Sequence, residues 1–209
     1  MSEPAKIRVL SVDDHPLVRE GLAALINDQS DMRVVGQGST GHEAIKLFRD
    51  LNPDVALMDL RLPDIGGVDA MVTILSEFPA ARVIIVTSSE GDVEMQRALE
   101  GGAKGYMLKS MPPKEVLEAI RKVHAGKKAI PPEIAASLAD HLSDEALTAR
   151  EVEILQQVAE GNRNRDIADR LFISEGTVKV HIKHIMEKLG ANDRTQAITI
   201  AVRRGIIHL

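Results

Sequence analysis

The sequence predicts a parallel, doubly wound α/β domain followed by a small all-α domain of four helices. Two observations support this prediction. Five short β-rich runs alternate with five helical patterns up to residue 125, which is typical of a parallel sheet covered by helices. The last 62 residues show helical periodicity only. A Gly- and Pro-containing break at 126–132 separates the two parts. We therefore expect domains at 1–126 and 147–209, joined by a linker at 127–146.

The first domain alternates strand and helix throughout. The predicted strands are Ile7–Val12, Arg33–Gly36, Asp54–Asp59, Arg82–Thr87 and Lys104–Leu108. The first predicted helix begins at Pro16 and has Val18, Leu22, Leu25 and Ile26 on its apolar face. The other predicted helices are Thr40–Leu51, Val68–Phe78, Asp92–Glu100 and Pro112–Ala125. Thr40 and Glu43 have the spacing of a capping box, and Gly126 follows the last helix as a C-terminal glycine. In the linker, Glu133 to Leu142 predicts one amphipathic helix.

Polar side chains mark the carboxyl ends of four predicted strands. Asp13 and Asp14 follow the first strand, Asp59 ends the otherwise apolar third, Thr87 ends the fourth and Lys109 follows the fifth. Those ends share one crevice in a parallel sheet. Each residue alone has an ordinary structural explanation, as a helix cap, a β-branched strand residue or a loop charge. Their joint placement favours a site for phosphoryl transfer onto Asp59.

The chemistry of that crevice predicts a hard cation. Clustered carboxylates repel one another unless a cation joins them, and Mg²⁺ prefers oxygen ligands while keeping several waters. Mn²⁺ suits the same ligands. A hydroxyl from Thr87 and the ammonium of Lys109 could hold the remaining oxygens of a phosphoryl group.

Composition restricts the class of protein. Hydrophobic residues make up 44% and charged residues 27%, as in globular domains. No run approaches the roughly 20 apolar residues of a membrane span, the N-terminus lacks a signal-peptide pattern, and cysteine is absent. We therefore expect a cytoplasmic protein with no membrane partner. Residues 148–209 carry 10 basic and 8 acidic residues, against 16 and 23 in 1–147, which makes nucleic acid a candidate partner of the tail.

The second domain has a helix-turn-helix pattern. Thr148 and Glu151 form a predicted capping box before a helix that Gly161 ends. Further helices are expected at Asn164–Leu171, at Glu175–Leu189 after the cap Ser174, and from Asp193 to Val202. On the third helix, Val178, Ile182, Ile185 and Leu189 share a core face. The opposite face carries Lys179, Val180, Lys183, His184 and Glu187, which is either a solvated surface or a surface that reads a DNA groove.

Four motifs of the first domain resemble the receiver domain of two-component response regulators. They are Val12-Asp13-Asp14-His15-Pro16, Met58-Asp59-Leu60-Arg61-Leu62-Pro63, Val86-Thr87-Ser88 and Leu108-Lys109. The resemblance implies a flavodoxin-like strand order of 2-1-3-4-5. It implies that Asp59 is the phosphoacceptor, that Asp14, Asp59 and the Arg61 carbonyl ligate Mg²⁺, and that Asp13 acts mostly through water. Thr87 and Lys109 would engage the phosphoryl group, and Tyr106 would be an aromatic switch.

The second domain resembles the LuxR-type helix-turn-helix, through the runs 147–155, 173–181, 188–190 and 194–197. Together the two likenesses place the chain with response regulators of the NarL/FixJ class. They imply that Lys179, Val180 and Lys183 read bases or phosphates and that Thr177 binds phosphate. The fourth helix, with Ala197, Ile198, Ala201 and Val202, would be the dimer contact, unless these four residues are core.

The expected function is a phosphorylation-dependent, DNA-binding transcription regulator rather than an enzyme. A sensor histidine kinase would phosphorylate it, and a homodimer would bind double-stranded promoter DNA. One alternative is a hydrolase with an aspartyl-phosphate intermediate, but Arg61 stands where such phosphatases of the haloacid dehalogenase class have their general acid. Another is an autoinducer-binding regulator, whose pocket would normally be rich in aromatic residues, whereas this chain has no Trp and one Tyr.

Overall fold

The computed structural model describes residues 6–88, 91–132, 135 and 145–207. The chain divides into two compact units, one containing the sheet and the other containing the last four helices. The predicted linker helix from Glu133 to Leu142 lies outside the described residues, Ala135 excepted. Within the described ranges, no helix is long and apolar enough to cross a membrane.

The first unit contains one five-stranded parallel sheet in the order β2-β1-β3-β4-β5, which confirms the expected topology. The strands are β1 Ile7–Val12, β2 Met32–Gly38, β3 Val55–Asp59, β4 Val83–Thr87 and β5 Gly105–Leu108. Every residue of β3 and β4 is buried, because helices cover both faces of such a sheet. The helices are α1 Pro16–Asn27, α2 Gly41–Leu51, α3 Gly67–Glu77, α4 Asp92–Glu100 and α5 Pro113–His124.

The start of α2 corrects one local prediction. Thr40 caps the helix by accepting the Glu43 N–H, as expected. Glu43 reaches back by one residue more than in a capping box, and its carboxylate accepts from the backbone N–H of Ser39 at 2.7 Å and from the Ser39 hydroxyl at 3.0 Å. The pKa of Glu43 is lowered by these bonds from Ser39.

The segment that follows α5 runs along the edge of the sheet at β5. Ala129 accepts a hydrogen bond from the Tyr106 N–H at 2.9 Å and donates its own N–H to the Lys104 carbonyl at 2.9 Å. A β-carbon at Gly105 would lie 3.1 Å from the Ala129 carbonyl oxygen, so the absence of a side chain there permits the close approach. Ala129 therefore pairs with an otherwise open edge of the sheet.

Within its described residues, the second unit contains four helices, three of which begin at predicted caps. They are α6 Ala149–Ala159, α7 Asn164–Leu171, α8 Glu175–Leu189 and α9 Arg194–Arg203. Thr148 and Glu151 form the predicted reciprocal capping box. Ser174 and Asp193 each accept a backbone N–H from three residues ahead. These local bonds satisfy amide groups that a helix start leaves without partners, which explains why sequence spacing located the helices.

The fourth helix contributes to the core of its own unit. Ala197 and Ala201 are 1% and 0% exposed and pack with Ile154, Val178 and Ile185 in one cluster. Ile198 and Val202 are partly buried against the same cluster. The two alanines therefore cannot belong to a free dimer surface, because the fold of the small unit already uses them.

Candidate functional site: a buried acidic cluster and an exposed helix

The first candidate site is a group of carboxylates at the carboxyl end of the sheet. Asp59 is the last residue of β3 and is 3% exposed, and Asp13, directly after β1, is 1% exposed. Ligand atoms of Asp13, Asp14, His15 and Asp59 lie within 4.8 Å of one another. Two buried carboxylates beside a partly exposed third supply the oxygen ligands that a small divalent cation prefers. The structure therefore brings together three of the expected metal ligands.

Lys109 joins the two buried carboxylates. Its ammonium nitrogen lies 2.8 Å from Asp13 Oδ2 and 2.9 Å from Asp59 Oδ2, and its side chain is 12% exposed. The backbone fixes this position, since the Lys109 N–H donates to the Thr87 carbonyl at 2.7 Å. Strand β4 thus aligns the lysine with the end of β3.

Burial and neighbouring charges shift the pKa values of this group in known directions. Burial raises the pKa of Asp59, and the charge of Asp13 raises it further, although the ammonium of Lys109 opposes both effects. Burial alone would lower the pKa of Lys109, but its bonds to Asp13 and Asp59 raise it on balance. Lys109 is therefore held as a cation between the two buried carboxylates.

The remaining expected residues lie at or near the ends of β3 and β4 and on β5. The Arg61 N–H donates to Asp59 Oδ1 at 3.3 Å. Thr87 ends β4 and is 2% exposed, and Tyr106 on β5 is fully buried. The register pairs Ile85 with Tyr106. Because side chains alternate along a strand, Thr87 and Tyr106 lie on the same face of the sheet.

Sequence reasoning left two residues near this site unassigned. The His15 ring nitrogen Nδ1 lies 2.6 Å from Asp14 Oδ1, and the His15 N–H donates to Asp13 Oδ1 at 2.9 Å. The adjacent run Asp13-Asp14-His15 was a signal for this contact. Asp64 binds the start of α2, 22 residues earlier in the chain. No local pattern could have found that contact.

The second candidate site is the exposed face of α8. Val178 and Ile185 are buried, as predicted for the core face. On the opposite face, Val180 is 53% exposed, and Lys179 and Lys183 have side chains 63% and 72% exposed. An apolar side chain between two cations is suited to a DNA groove, where phosphates and thymine methyl groups are close together.

Lys179 and Lys183 each pair with an exposed glutamate of the same helix. Lys179 lies 2.8 Å from Glu175 and Lys183 lies 3.6 Å from Glu187, both one helical turn away. The bond to Lys179 lowers the pKa of Glu175. Such exposed pairs contribute little free energy and are screened by salt, so an incoming phosphate can replace the glutamates.

The amino terminus of α8 adds a polar group to the same face. Thr177 is exposed, its N–H donates to Ser174 Oγ at 3.0 Å, and its hydroxyl lies 2.8 Å from that oxygen. The preceding turn places Phe172 in the left-handed conformation with φ 54°, and its side chain is 94% exposed. The short turn sets α7 and α8 in the helix-turn-helix arrangement expected from the sequence.

Comparison with known proteins identifies both units. Residues 9–121 match the family model described as the response regulator receiver domain. Residues 145–201 match the model described as bacterial regulatory proteins of the luxR family. The receiver match covers the half of the chain in which an autoinducer-binding regulator would have its ligand domain, so that alternative is excluded.

Relatives of similar length resemble the whole chain. It is 41% identical to the uncharacterized transcriptional regulatory protein YxjL of Bacillus subtilis, over 97% of this chain and 98% of the relative. It is 39% identical to the response regulator protein VraR of Staphylococcus aureus, over 96% and 99%.

A solved structure resembles the chain over both units. It is RcsB from Salmonella enterica serovar Typhimurium, bound to the promoter P1flhDC in the presence of the phosphomimetic BeF₃⁻. It has 26% identity and a TM-score of 0.72, and the match covers 93% of this chain and 97% of that one. The chain belongs to the two-component response regulators of the NarL/FixJ class, which join a receiver domain to a LuxR-type DNA-binding domain.

Proposed function

We propose that Asp59 accepts a phosphoryl group from a sensor histidine kinase and that this modification controls binding to promoter DNA. The observation that carries the proposal is the ion-pair arrangement of Lys109 with Asp13 and Asp59, in a buried cluster at the end of the sheet. A nucleophilic carboxylate, a fixed ammonium and neighbouring metal-type ligands are the groups that phosphoryl transfer to an aspartate requires.

In the proposed transfer, a carboxylate oxygen of Asp59 attacks the phosphorus of a phosphohistidine. The new O–P bond forms as the N–P bond breaks, and the departing imidazole keeps the electron pair and takes up a proton. Mg²⁺ or Mn²⁺, held by Asp14, Asp59 and the Arg61 carbonyl, and by Asp13 through water, would offset the negative charge of the phosphoryl oxygens. Lys109 and the Thr87 hydroxyl would then bind oxygens of the new acyl phosphate.

Reorientation of Thr87 would transmit the modification to Tyr106. The support is their placement on the same face of neighbouring strands, with both side chains buried. A change in the position of the threonine hydroxyl alters the packing available to a fully buried aromatic ring, because protein interiors are close-packed.

The phosphoacceptor can be tested directly with acetyl phosphate and a divalent cation. Acyl phosphate should form on the wild-type chain and on Asp50→Asn, whose carboxylate is exposed on α2, but not on Asp59→Asn. Trapping the adduct and sequencing the modified peptide locates it. Full labelling of Asp59→Asn would refute the assignment. Chelator or Asp14→Ala should abolish labelling if the cation is required.

We propose that α8 reads DNA through Lys179, Val180 and Lys183, with Thr177 on a phosphate. Their exposure on the face opposite the core supports this assignment. One short helix reads few base pairs, so a homodimer on two half-sites about one helical turn apart would bind far more tightly than a monomer. The experiment is to measure mass in solution and binding to one or two half-sites, with and without beryllofluoride. A chain that stays monomeric and gains as much affinity for single half-sites as for paired ones when beryllofluoride is added would exclude the dimer.

The domain boundaries and the place of action are part of the same proposal. We propose a receiver at 1–126, a linker at 127–146, whose Ala129 pairs with the edge of the receiver sheet, and a DNA-binding domain at 147–209. A regulator of chromosomal promoters works in the cytoplasm. The family consists of DNA-binding transcription regulators, and we expect no catalytic turnover beyond gain and loss of the phosphoryl group on Asp59, since Arg61 replaces the general acid of the phosphatases.

A further inference from the structure

Asp64 connects the loop after Asp59 to the beginning of α2. Its Oδ1 accepts the Gly41 N–H at 2.7 Å, and its Oδ2 accepts the His42 N–H at 2.9 Å. Oδ2 also lies 2.6 Å from the His42 ring nitrogen Nδ1. Both carboxylate oxygens are thus used, and they satisfy amide groups that the first turn of a helix leaves without intrahelical partners.

The carboxylate of Asp64 is held firmly as an anion. Burial alone would raise the pKa of Asp64, but three backbone N–H groups and the His42 ring hold it well below its usual range. The positive end of the α2 dipole favours the same negative charge. The attachment therefore persists throughout the neutral pH range.

The chain leaves no space between the loop and α2. A β-carbon at Gly41 would lie 2.7 Å from the Ile65 carbonyl oxygen and would also collide with the Ile65 side chain. Gly41 is buried, and its lack of a side chain allows the loop backbone to approach the helix start. The contact is therefore a packed one, and the hydrogen bonds of Asp64 are supported by close approach of the backbone.

The same loop is fixed at its far end. The Gly67 N–H donates to the Leu60 carbonyl at 2.9 Å. A β-carbon at Gly67 would collide with the Asp59 carbonyl oxygen. The loop thus begins and ends against the last residues of β3, and Asp64 attaches its middle. Arg61 lies between these points, with its N–H on Asp59 Oδ1.

We propose that Asp64 is a positioning residue for phosphorylation, which holds the Arg61 backbone at the cation and phosphoryl site by fixing the loop to α2. It touches none of the reacting atoms. The inference rests on the proposed function, because it takes the Arg61 carbonyl as a ligand of the cation. Residues that orient metal ligands typically change metal affinity by about 10–100-fold when they are removed.

The test compares Asp64→Ala, Asp64→Asn and His42→Ala with the control Asp69→Asn in the full chain. Asp69 is a neighbouring exposed aspartate whose carboxylate pairs only with the exposed Arg97 among the contacts of the described residues. Three quantities are measured: the Kd for Mn²⁺, the amide exchange rates of residues 60–66, and the dependence of the initial phosphorylation rate on acetyl phosphate concentration.

Asp64→Ala should raise the Kd for Mn²⁺ about 10–100-fold and speed exchange in the loop, while amides of β3 keep their protection. Asp64→Asn keeps one acceptor oxygen and should be intermediate, and His42→Ala, which loses only the ring contact, should change least. If Asp64 had only a structural role, its loss would lower the amide-exchange protection of β3 as well. The affinity of the folded protein for the cation would then be unchanged.

The proposal is overturned if Asp64→Ala and Asp64→Asn match Asp69→Asn in cation affinity and loop exchange. If Asp64→Ala fails to fold, the test rests on comparing Asp64→Asn with His42→Ala. Asp64→Asn should then bind Mn²⁺ more weakly than His42→Ala does. A wild-type chain that is not labelled on Asp59 would refute the proposed function and with it the role of Asp64 in phosphorylation. The effect of Asp64 on Mn²⁺ affinity and loop exchange would still be tested, because neither measurement depends on phosphorylation.

Discussion

Replacing Glu151 by Gln should destabilise the DNA-binding unit substantially although the two side chains have nearly the same shape. Glu151 is 4% exposed in the first turn of α6. Its Oε2 accepts from the Thr148 N–H at 2.8 Å and lies 3.0 Å from the Thr148 hydroxyl and 3.0 Å from the Lys188 ammonium. Lys188, in the last turn of α8, also lies 3.0 Å from the exposed Glu145.

The magnitude follows from which of these contacts Gln can keep. Its amide oxygen can still accept one bond, so the cap is retained in part. The charge-assisted bond to Lys188 is lost at a cost of about 1.5–3 kcal/mol, and the favourable interaction with the helix dipole at about 0.3–1 kcal/mol. Glu145 still pairs with Lys188, which keeps the total near the lower end, at about 2–3 kcal/mol. For a small domain this corresponds to a fall in Tm of roughly 10–20 °C.

The assay is denaturant unfolding of the full chain, followed through methyl signals of Ile154 and Ile185 in the core of the second unit. Glu153→Gln is the matched control, because that carboxylate is half-exposed and pairs with Arg150 at 2.6 Å, an interaction we expect to contribute less than about 1 kcal/mol. Equal stability of the Glu151→Gln and Glu153→Gln proteins would refute the reasoning.

The same experiment has a pH dependence of known sign. Burial alone would raise the pKa of Glu151, but bonds from Thr148 and Lys188 lower it below its usual value of 4.5. A carboxyl whose pKa is lowered by folding stabilises the protein fully above its unfolded-state pKa, and this stabilisation is lost as pH falls through the folded-state pKa. The difference between wild type and Glu151→Gln should therefore be constant near neutrality and shrink below about pH 4.5.

Further substitutions test three separate features. Lys179→Ala or Lys183→Ala should lower the salt slope of DNA binding by about one if the lysine contacts a phosphate, or relax one base position at a cost of about 1–3 kcal/mol if it reads guanine; binding unchanged in affinity, preference and slope would exclude the surface. Phe172→Gly should stabilise the chain by about 1 kcal/mol, because an exposed side chain at φ 54° gains no packing in return for its backbone strain; a lower denaturation midpoint would contradict this. Gly67→Ala should destabilise the receiver by at least about 1–3 kcal/mol and slow phosphorylation, because its β-carbon would meet a backbone carbonyl. Gly21→Ala is the control, since the structure leaves open space around Gly21. Equal denaturation midpoints for the two variants would contradict the prediction.

Much of the fold could be predicted because its signals are local. Asp92–Glu100, Asn164–Leu171 and Glu175–Leu189 have the predicted bounds, since periodicity, caps and terminal glycines lie within a few residues of one another. The acidic cluster could also be predicted from the sequence, because the carboxyl ends of parallel strands meet at one edge of the sheet. The strand order itself came from the family resemblance.

Contacts between distant parts of the chain could not be predicted in this way. Asp64 reads as an ordinary turn residue after Pro63, and nothing near it indicates a helix start 22 residues earlier. Helical periodicity marked Ala197 and Ala201 as apolar but could not say whether their own domain or a second subunit covers them. Thr40 and Glu43 have the spacing of a capping box, but the Glu43 carboxylate accepts the backbone N–H of Ser39 rather than that of Thr40.

The pairing of Ala129 with β5 determines where this protein can be divided. A receiver fragment that stops at residue 126 would lose both hydrogen bonds from Ala129 and present the N–H of Tyr106 at a bare sheet edge, which invites association between copies. A fragment that extends through Ile130 keeps that edge covered. Exchange of output domains between related regulators should therefore place the junction after this residue.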